Sequence, residues 1–233
     1  MSASLVLFDI DGTLTRGAGP HHRAALEAAI FQVTGLAATT QGIPVHGMLD
    51  HVILTTMLRV AGVSEAEAKR VLPQVIEAAQ ELYQVGVPDL RDKLCPGLPG
   101  VLEEMGRRGV VLALVTGNLT RIAWHKLARA GIGQYFRFGA FGEMAPTRGE
   151  LAKLAVERSR REGLIDEQSR ISLIGDATSD VIAALANGIR AISVQTGITP
   201  VEELRREGPD ILLKDLRELR LWMVETRVDR GAK

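Results

Sequence analysis

Two aspartates, Asp9 and Asp11, close the apolar run Leu5–Phe8 in the stretch SLVLFDIDGTLTRG, and Gly12 follows at once. Two later apolar runs end in reactive groups as well: VVLALV leads into Thr116, Gly117 and Asn118, and ISLI leads into GDATSD, which carries Asp176 and Asp180. Each of these has an ordinary use when taken alone, since Asp-Gly forms turns, Thr-Gly-Asn caps helices and Gly-Asp ends strands. Their recurrence at strand ends is the telling feature, because open parallel sheets gather ligands at the carboxyl ends of their strands. Carboxylates that converge there repel one another unless a cation neutralises them. Oxygen ligands without His or Cys select a hard ion, and Mg²⁺ suits a site that must also admit phosphate. A calcium loop of the EF-hand kind is a poor alternative, because Gly12 directly follows Asp11 and the third ligand and distal Glu are missing. The Thr116 hydroxyl and the backbone N–H groups of Gly117 and Asn118, near a helix start, form a cradle for an anionic oxygen.

Positioning these groups requires a sheet of short buried strands. Leu5–Phe8, Val110–Val115, Ile171–Ile174, Ala191–Val194 and Asp210–Leu213 are nearly unbroken apolar runs, as expected when helices cover both faces. From Leu98 onward helical segments separate them, which predicts parallel crossovers and a doubly wound α/β core. Between Arg16 and Lys93 no strand is evident, and three helical patterns take its place. The first starts near Pro20 and stops at Gly35; the second runs from about Asp50 to Gly62. The third opens on a capping box of Ser64 and Glu67, with Pro73 expected to kink it or to mark its first turns.

The 233 residues are 46% hydrophobic, enough for a substantial core, and 28 basic side chains balance 28 acidic ones. No global field recruits nucleic acid or an acidic membrane, and the basic stretch RSRREG (158–163) reads as a solvated helix face. The single cysteine, Cys95, cannot form an internal disulfide and reads as a small buried residue. The apolar runs are too short to span a bilayer and no signal-peptide pattern opens the sequence, so a cytoplasmic protein is expected.

The ordered set DIDGT, VTGN and GDATSD resembles the haloacid dehalogenase superfamily, in particular its phosphatases with an inserted helical cap, and the resemblance covers essentially the whole chain. It implies a Rossmann-like core at 1–15 and 94–233 and a cap at 16–93. It also implies a Mg²⁺-dependent phosphatase that works through an aspartyl-phosphate. Asp9 matches the nucleophile, Asp11 the general acid/base and Thr116 the residue that binds the transferring phosphoryl group. Asp176 matches the metal-binding carboxylate with Asp180 in support, and the backbone carbonyl of Asp11 is a further metal ligand. Family dehalogenases lack an acid at the position of Asp11, so the comparison favours phosphate esters. The family's usual cation is a Lys; here APTRGELAKLAVERS offers Arg148 just before the helix, with Lys153 as the alternative, and Arg can hold phosphate bidentately.

Substrate choice belongs to the cap, which can close over the core. His21, His22, His46 and His51 fall there, with Arg16, Arg23 and Asp50. The loop VHGMLD, with His46 and Asp50, is the expected substrate contact. A phosphonate hydrolase needs a cap lysine for a Schiff base, and none precedes Lys69. The expected substrate is a small phosphomonoester of the phosphoglycolate type; the alternatives are a phosphomutase of the same family and a non-enzymatic phospho-ligand-binding protein.

Overall fold

The computed structural model describes residues 4–225, so the outer ends of the expected core, 1–3 and 226–233, lie outside the described residues. The strands are β1 (Ser4–Phe8), β2 (Val111–Val115), β3 (Phe138–Ala140), β4 (Arg170–Gly175), β5 (Arg190–Val194) and β6 (Ile211–Leu213). All pair in parallel, in the order β3-β2-β1-β4-β5-β6. β1 is apolar throughout because it is buried on both faces: Leu5 and Leu7 point to one side, Val6 and Phe8 to the other. The first side is covered by α6 (Arg148–Arg161) and α7 (Thr178–Ala186), through Leu151, Ala155, Val181 and Ala184. On the second side lie α4 (Gly100–Arg107) and α5 (Thr120–Ala130), through Leu102, Met105, Ala123 and Leu127. The doubly wound α/β sheet expected from the sequence is therefore present.

Register fixes where the reactive residues emerge. Phe8 lies opposite both Leu114 and Ile174, so Asp9, Thr116 and Asp176 leave the sheet at nearly one level, and the strand order reverses between β1 and β4.

The residues between β1 and α4 form α1 (Gly19–Thr34), α2 (Asp50–Val60) and α3 (Glu65–Gln84), as expected. They bury a core of their own, including Ala25, Ile30, Leu54, Met57, Val75 and Tyr83, and share it with Leu119 and Ile122 at the start of α5. Two details differ from the sequence reading. Ser64 does cap α3, accepting the Glu67 N–H at 3.3 Å, but the Glu67 carboxylate turns to Arg70 one turn on rather than back to the cap. Pro73 lies inside α3 rather than in its first turns. The chain enters and leaves these helices side by side: the Arg16 N–H donates to the Lys93 carbonyl at 2.8 Å and the Cys95 N–H to the Leu14 carbonyl at 2.9 Å.

β3 was not legible as a strand, and β6 begins at Ile211 rather than Asp210, whose carboxylate instead accepts the Ala191 N–H at 2.8 Å. In the basic stretch, Arg158 pairs with Glu162 at 2.7 Å and lies over the Phe138 ring at 4.6 Å. Cys95 is buried, and burial pushes its thiol up to about 11. No described helix is long and apolar enough to cross a membrane.

Candidate active site

Asp9 follows β1 directly, and its N–H donates to the Ile174 carbonyl at 3.0 Å, which locks it to β4. Its carboxylate is buried beside those of Asp176 and Asp180; one oxygen from each lies within 4.8 Å of the others. Arg148, in the first turn of α6, is buried against them, with Nη1 2.9 Å from Asp9 Oδ1 and 2.8 Å from Asp180 Oδ1. Burial opposes the charge on Arg148, but Asp180 and Asp9 outweigh it and hold the guanidinium more firmly protonated than usual. Lys153, the alternative cation, is exposed and pairs with Glu157 at 3.9 Å, away from the acidic cluster.

The acidic cluster is short of positive charge. Burial, followed by the nearby Asp9 and Asp180 carboxylates, drives Asp176 above the ordinary carboxylate range. Asp180 is raised too, by burial against the opposing pull of Arg148. Both Asp180 oxygens are engaged, one by Arg148 and the other by the Ala177 N–H at 3.0 Å. Asp176 accepts from Thr13 at 3.0 Å with Oδ1, while its buried Oδ2 has no hydrogen-bond partner among the described residues. An orphaned carboxylate oxygen within an all-oxygen donor set fits a hard divalent cation, and Asp9 and Asp176 are the residues best placed to hold one. The backbone makes room for this group. Gly12 has a φ of +89°, and a Cβ there would collide with the Asp176 carboxylate, so glycine is required twice over.

Asp11, only two residues beyond Asp9, belongs to different surroundings. Its carboxylate stands apart from the acidic cluster, and Oδ2 accepts from Lys126 Nζ at 2.5 Å and from Asn118 Nδ2 at 2.8 Å. Burial works against its ionisation, but the Lys126 charge first, and then the hydrogen bonds from Lys126 and Asn118, leave its pKa below the usual value. A metal-binding role for Asp11 therefore rests on its backbone carbonyl, not on the side chain.

Thr116 is fully buried, and its Oγ1 accepts from the Asn118 N–H at 3.3 Å. Gly117 and Asn118 face the pocket, and Gly117 is pressed so closely by the Met48 carbonyl that a Cβ would not fit. The expected substrate loop thus does reach the site. The pocket, about 410 Å³, is lined by Asp9, Asp11, Arg148 and Asp176 from the sheet side and by Arg16, Arg23 and His46 from the other. His46 Nε2 lies 2.6 Å from Thr199 Oγ1 and 3.7 Å from Asp176 Oδ2, and burial holds its pKa below the usual histidine value. Asp50 differs from expectation. It borders the pocket but is buried, and Oδ2 is taken by the Leu119 N–H and by His22 Nε2, each at 2.9 Å. His21 and His51 are likewise engaged, with the carbonyls of Tyr83 and Gly142. Sequence reasoning missed Lys126, whose position on α5 carries no motif.

The family model for haloacid dehalogenase-like hydrolases matches residues 3–188. The chain belongs to the haloacid dehalogenase-like hydrolase family. It is an enzyme, a hydrolase of the phosphatase kind. Within this family it is similar to a phosphoglycolate phosphatase of Pseudomonas fluorescens (strain Pf0-1), 26% identical over 229 residues, covering 92% of this chain and 78% of that one. Phosphoglycolate phosphatase 1 of Pseudomonas aeruginosa is 26% identical over 220 residues, with the same coverage. Among solved structures, a β-phosphoglucomutase from Clostridium difficile superposes with a TM-score of 0.68 at 18% identity, covering 95% of this chain and 94% of that one. A haloacid dehalogenase-like protein from Streptococcus pneumoniae gives 0.60 at 19% identity, covering 93% and 96%. At these identities the structural neighbours speak for the fold.

Proposed function

We propose that this hydrolase is a Mg²⁺-dependent phosphatase acting on a small phosphomonoester through a covalent intermediate on Asp9. The observation that carries this reading is the separation of the two neighbouring aspartates. Asp9 lies with Arg148, Asp176 and Asp180 in a cluster short of positive charge; Asp11 borders the same pocket but is held by Lys126 and Asn118. Two carboxylates in unlike surroundings take unlike roles. An Asp9 oxygen attacks phosphorus while the bond to the leaving alkoxide breaks, and Asp11, ionised in the unliganded protein and taking up a proton as the anionic phosphate enters beside it, gives that oxygen its proton. Asp11 then takes a proton from the water that attacks the aspartyl-phosphate, which releases phosphate and restores Asp9. Arg148, the Thr116 hydroxyl and the N–H groups of Gly117 and Asn118 hold the phosphoryl oxygens. Asp9, Asp176 and the Asp11 carbonyl, with Asp180 behind, would hold the Mg²⁺, which when bound would supply positive charge against the repulsion between nucleophile and phosphate.

Residues 16–93 act as the cap in this reading. Arg16 and Arg23 line the pocket and neither makes an ion pair among the described residues, which suits a substrate with a second anionic group. A phosphorylated carboxylic acid such as phosphoglycolate, the substrate named for the similar Pseudomonas enzymes, has that shape. Phosphate release from a panel of phosphomonoesters, with Mg²⁺ and with a chelator, tests the proposal. Metal-dependent turnover that disappears in a folded Asp9→Asn protein is expected; turnover that survives either change contradicts it.

A further inference from the structure

Lys126 is an anomaly in its helix. It shares the buried face of α5 with Ile122, Ala123, Leu127 and Ala130, and its side chain is 0% exposed. An ammonium in such a place is costly unless its hydrogens find partners. Two partners are present: Asp11 Oδ2 at 2.5 Å and His22 Nδ1 at 3.1 Å. A lysine ammonium only donates, so His22 accepts at Nδ1 and carries its hydrogen at Nε2, which points at Asp50 Oδ2, 2.9 Å away. That same oxygen accepts the N–H of Leu119, the residue preceding α5. The contacts close a ring from Asp11 through Lys126 on α5, His22 on α1 and Asp50 at the start of α2, and back to the beginning of α5.

The ring has two consequences. Lys126 and Asn118 both bind Oδ2 of Asp11, and among the described residues Oδ1 has no hydrogen bond, so this pocket-lining carboxylate is fixed through one oxygen and keeps the other uncommitted. Moreover, His22 and Asp50 both come from the helices between β1 and α4, so the second partner of Lys126 is in place only while α1 and α2 are seated against α5.

We propose that Lys126 is a positioning residue for proton transfer by Asp11, and that His22 and Asp50 make this positioning depend on the seating of the cap helices. The inference rests on the acid/base role of Asp11 given above. It predicts a defect that scales with how much the leaving group needs a proton. A nitrophenolate leaves with little help, whereas an alkoxide requires an acid.

The test compares kcat/KM for an alkyl phosphate and for p-nitrophenyl phosphate in the wild type, Lys126→Met, His22→Asn and Asp11→Asn, each with saturating Mg²⁺. Lys126→Met should lose about ten-fold or more on the alkyl ester and about three-fold or less on the nitrophenyl ester, with Asp11→Asn skewed the same way and further. A defect of folding or of cap closure alone lowers both esters equally. Equal losses in Lys126→Met beside a skewed Asp11→Asn overturn the inference and leave the role of Asp11 standing. A flat Asp11→Asn removes that role and the inference with it. If Lys126→Met does not fold, His22→Asn decides in its place, since it keeps the lysine and removes its second partner; a skew supports the ring and equal losses refute it.

Discussion

Arg148 and Asp9, 139 residues apart in sequence, share a buried ion pair of 2.9 Å, and the same guanidinium nitrogen holds Asp180 at 2.8 Å. The arginine is thus the one protein cation seated against the three clustered carboxylates Asp9, Asp176 and Asp180 among the described residues. Removing it leaves buried charge without a partner. Arg148→Ala should destabilise the metal-free protein by about 3–5 kcal/mol, and added Mg²⁺ should recover part of that loss. Denaturant unfolding with and without Mg²⁺ measures both effects. An unchanged midpoint in Arg148→Ala means the carboxylates are neutralised in another way.

Stability of the metal-free protein should depend on pH in a defined direction. Asp176 and Asp180 are raised chiefly by burial, with Asp9 adding to both. Because their folded pKa values lie above the unfolded value of about 4, these groups contribute stability that is complete below it and is lost as pH rises through the folded values. Metal binding requires the ionised forms, so the increase in melting temperature caused by Mg²⁺ should grow between about pH 5 and about pH 8. An increase of the same size across that range counts against these residues as the metal site.

His46 and Asp50, paired in the sequence reading as substrate contacts, should behave differently. His46 lines the pocket beside Asp176, so His46→Ala should change the ranking of phosphomonoesters by about ten-fold. Asp50 ties His22 to the N–H of Leu119, so Asp50→Asn should depress every alkyl ester by a similar factor. Specificity constants for several alkyl phosphates in each variant separate the two. A reordered ranking in Asp50→Asn returns that residue to substrate contact.

This contrast shows where sequence reading succeeds and where it stops. Strands β1, β2, β4 and β5 were legible because burial on both faces makes them continuous apolar runs, and the residues just beyond three of them stood out as a set. Arg148 was preferred over Lys153 from its place just before a helix, and it does lie against Asp9 while Lys153 faces solvent. β3 was not legible. Phe138–Ala140 is only three residues long with Gly139 at its centre, and its pairing with β2 comes from the sheet rather than from local pattern. Lys126 was hidden for a related reason: a lysine in TRIAWHKLARA reads as a solvated helix residue, and its burial becomes apparent only once α1 brings His22 against it. The histidines and Asp50 between Arg16 and Lys93 were visible as polar residues, but their partners lie on other elements, so sequence alone could not distinguish joints from contacts.

The central claim is that Asp9 attacks phosphorus and water follows in a second displacement. The stereochemical course at phosphorus tests it most directly, using a thiophosphate monoester made chiral with oxygen isotopes and hydrolysed in isotopically labelled water. Two successive in-line displacements predict net retention of configuration. Net inversion means that water attacks the ester in a single step, and it contradicts the account.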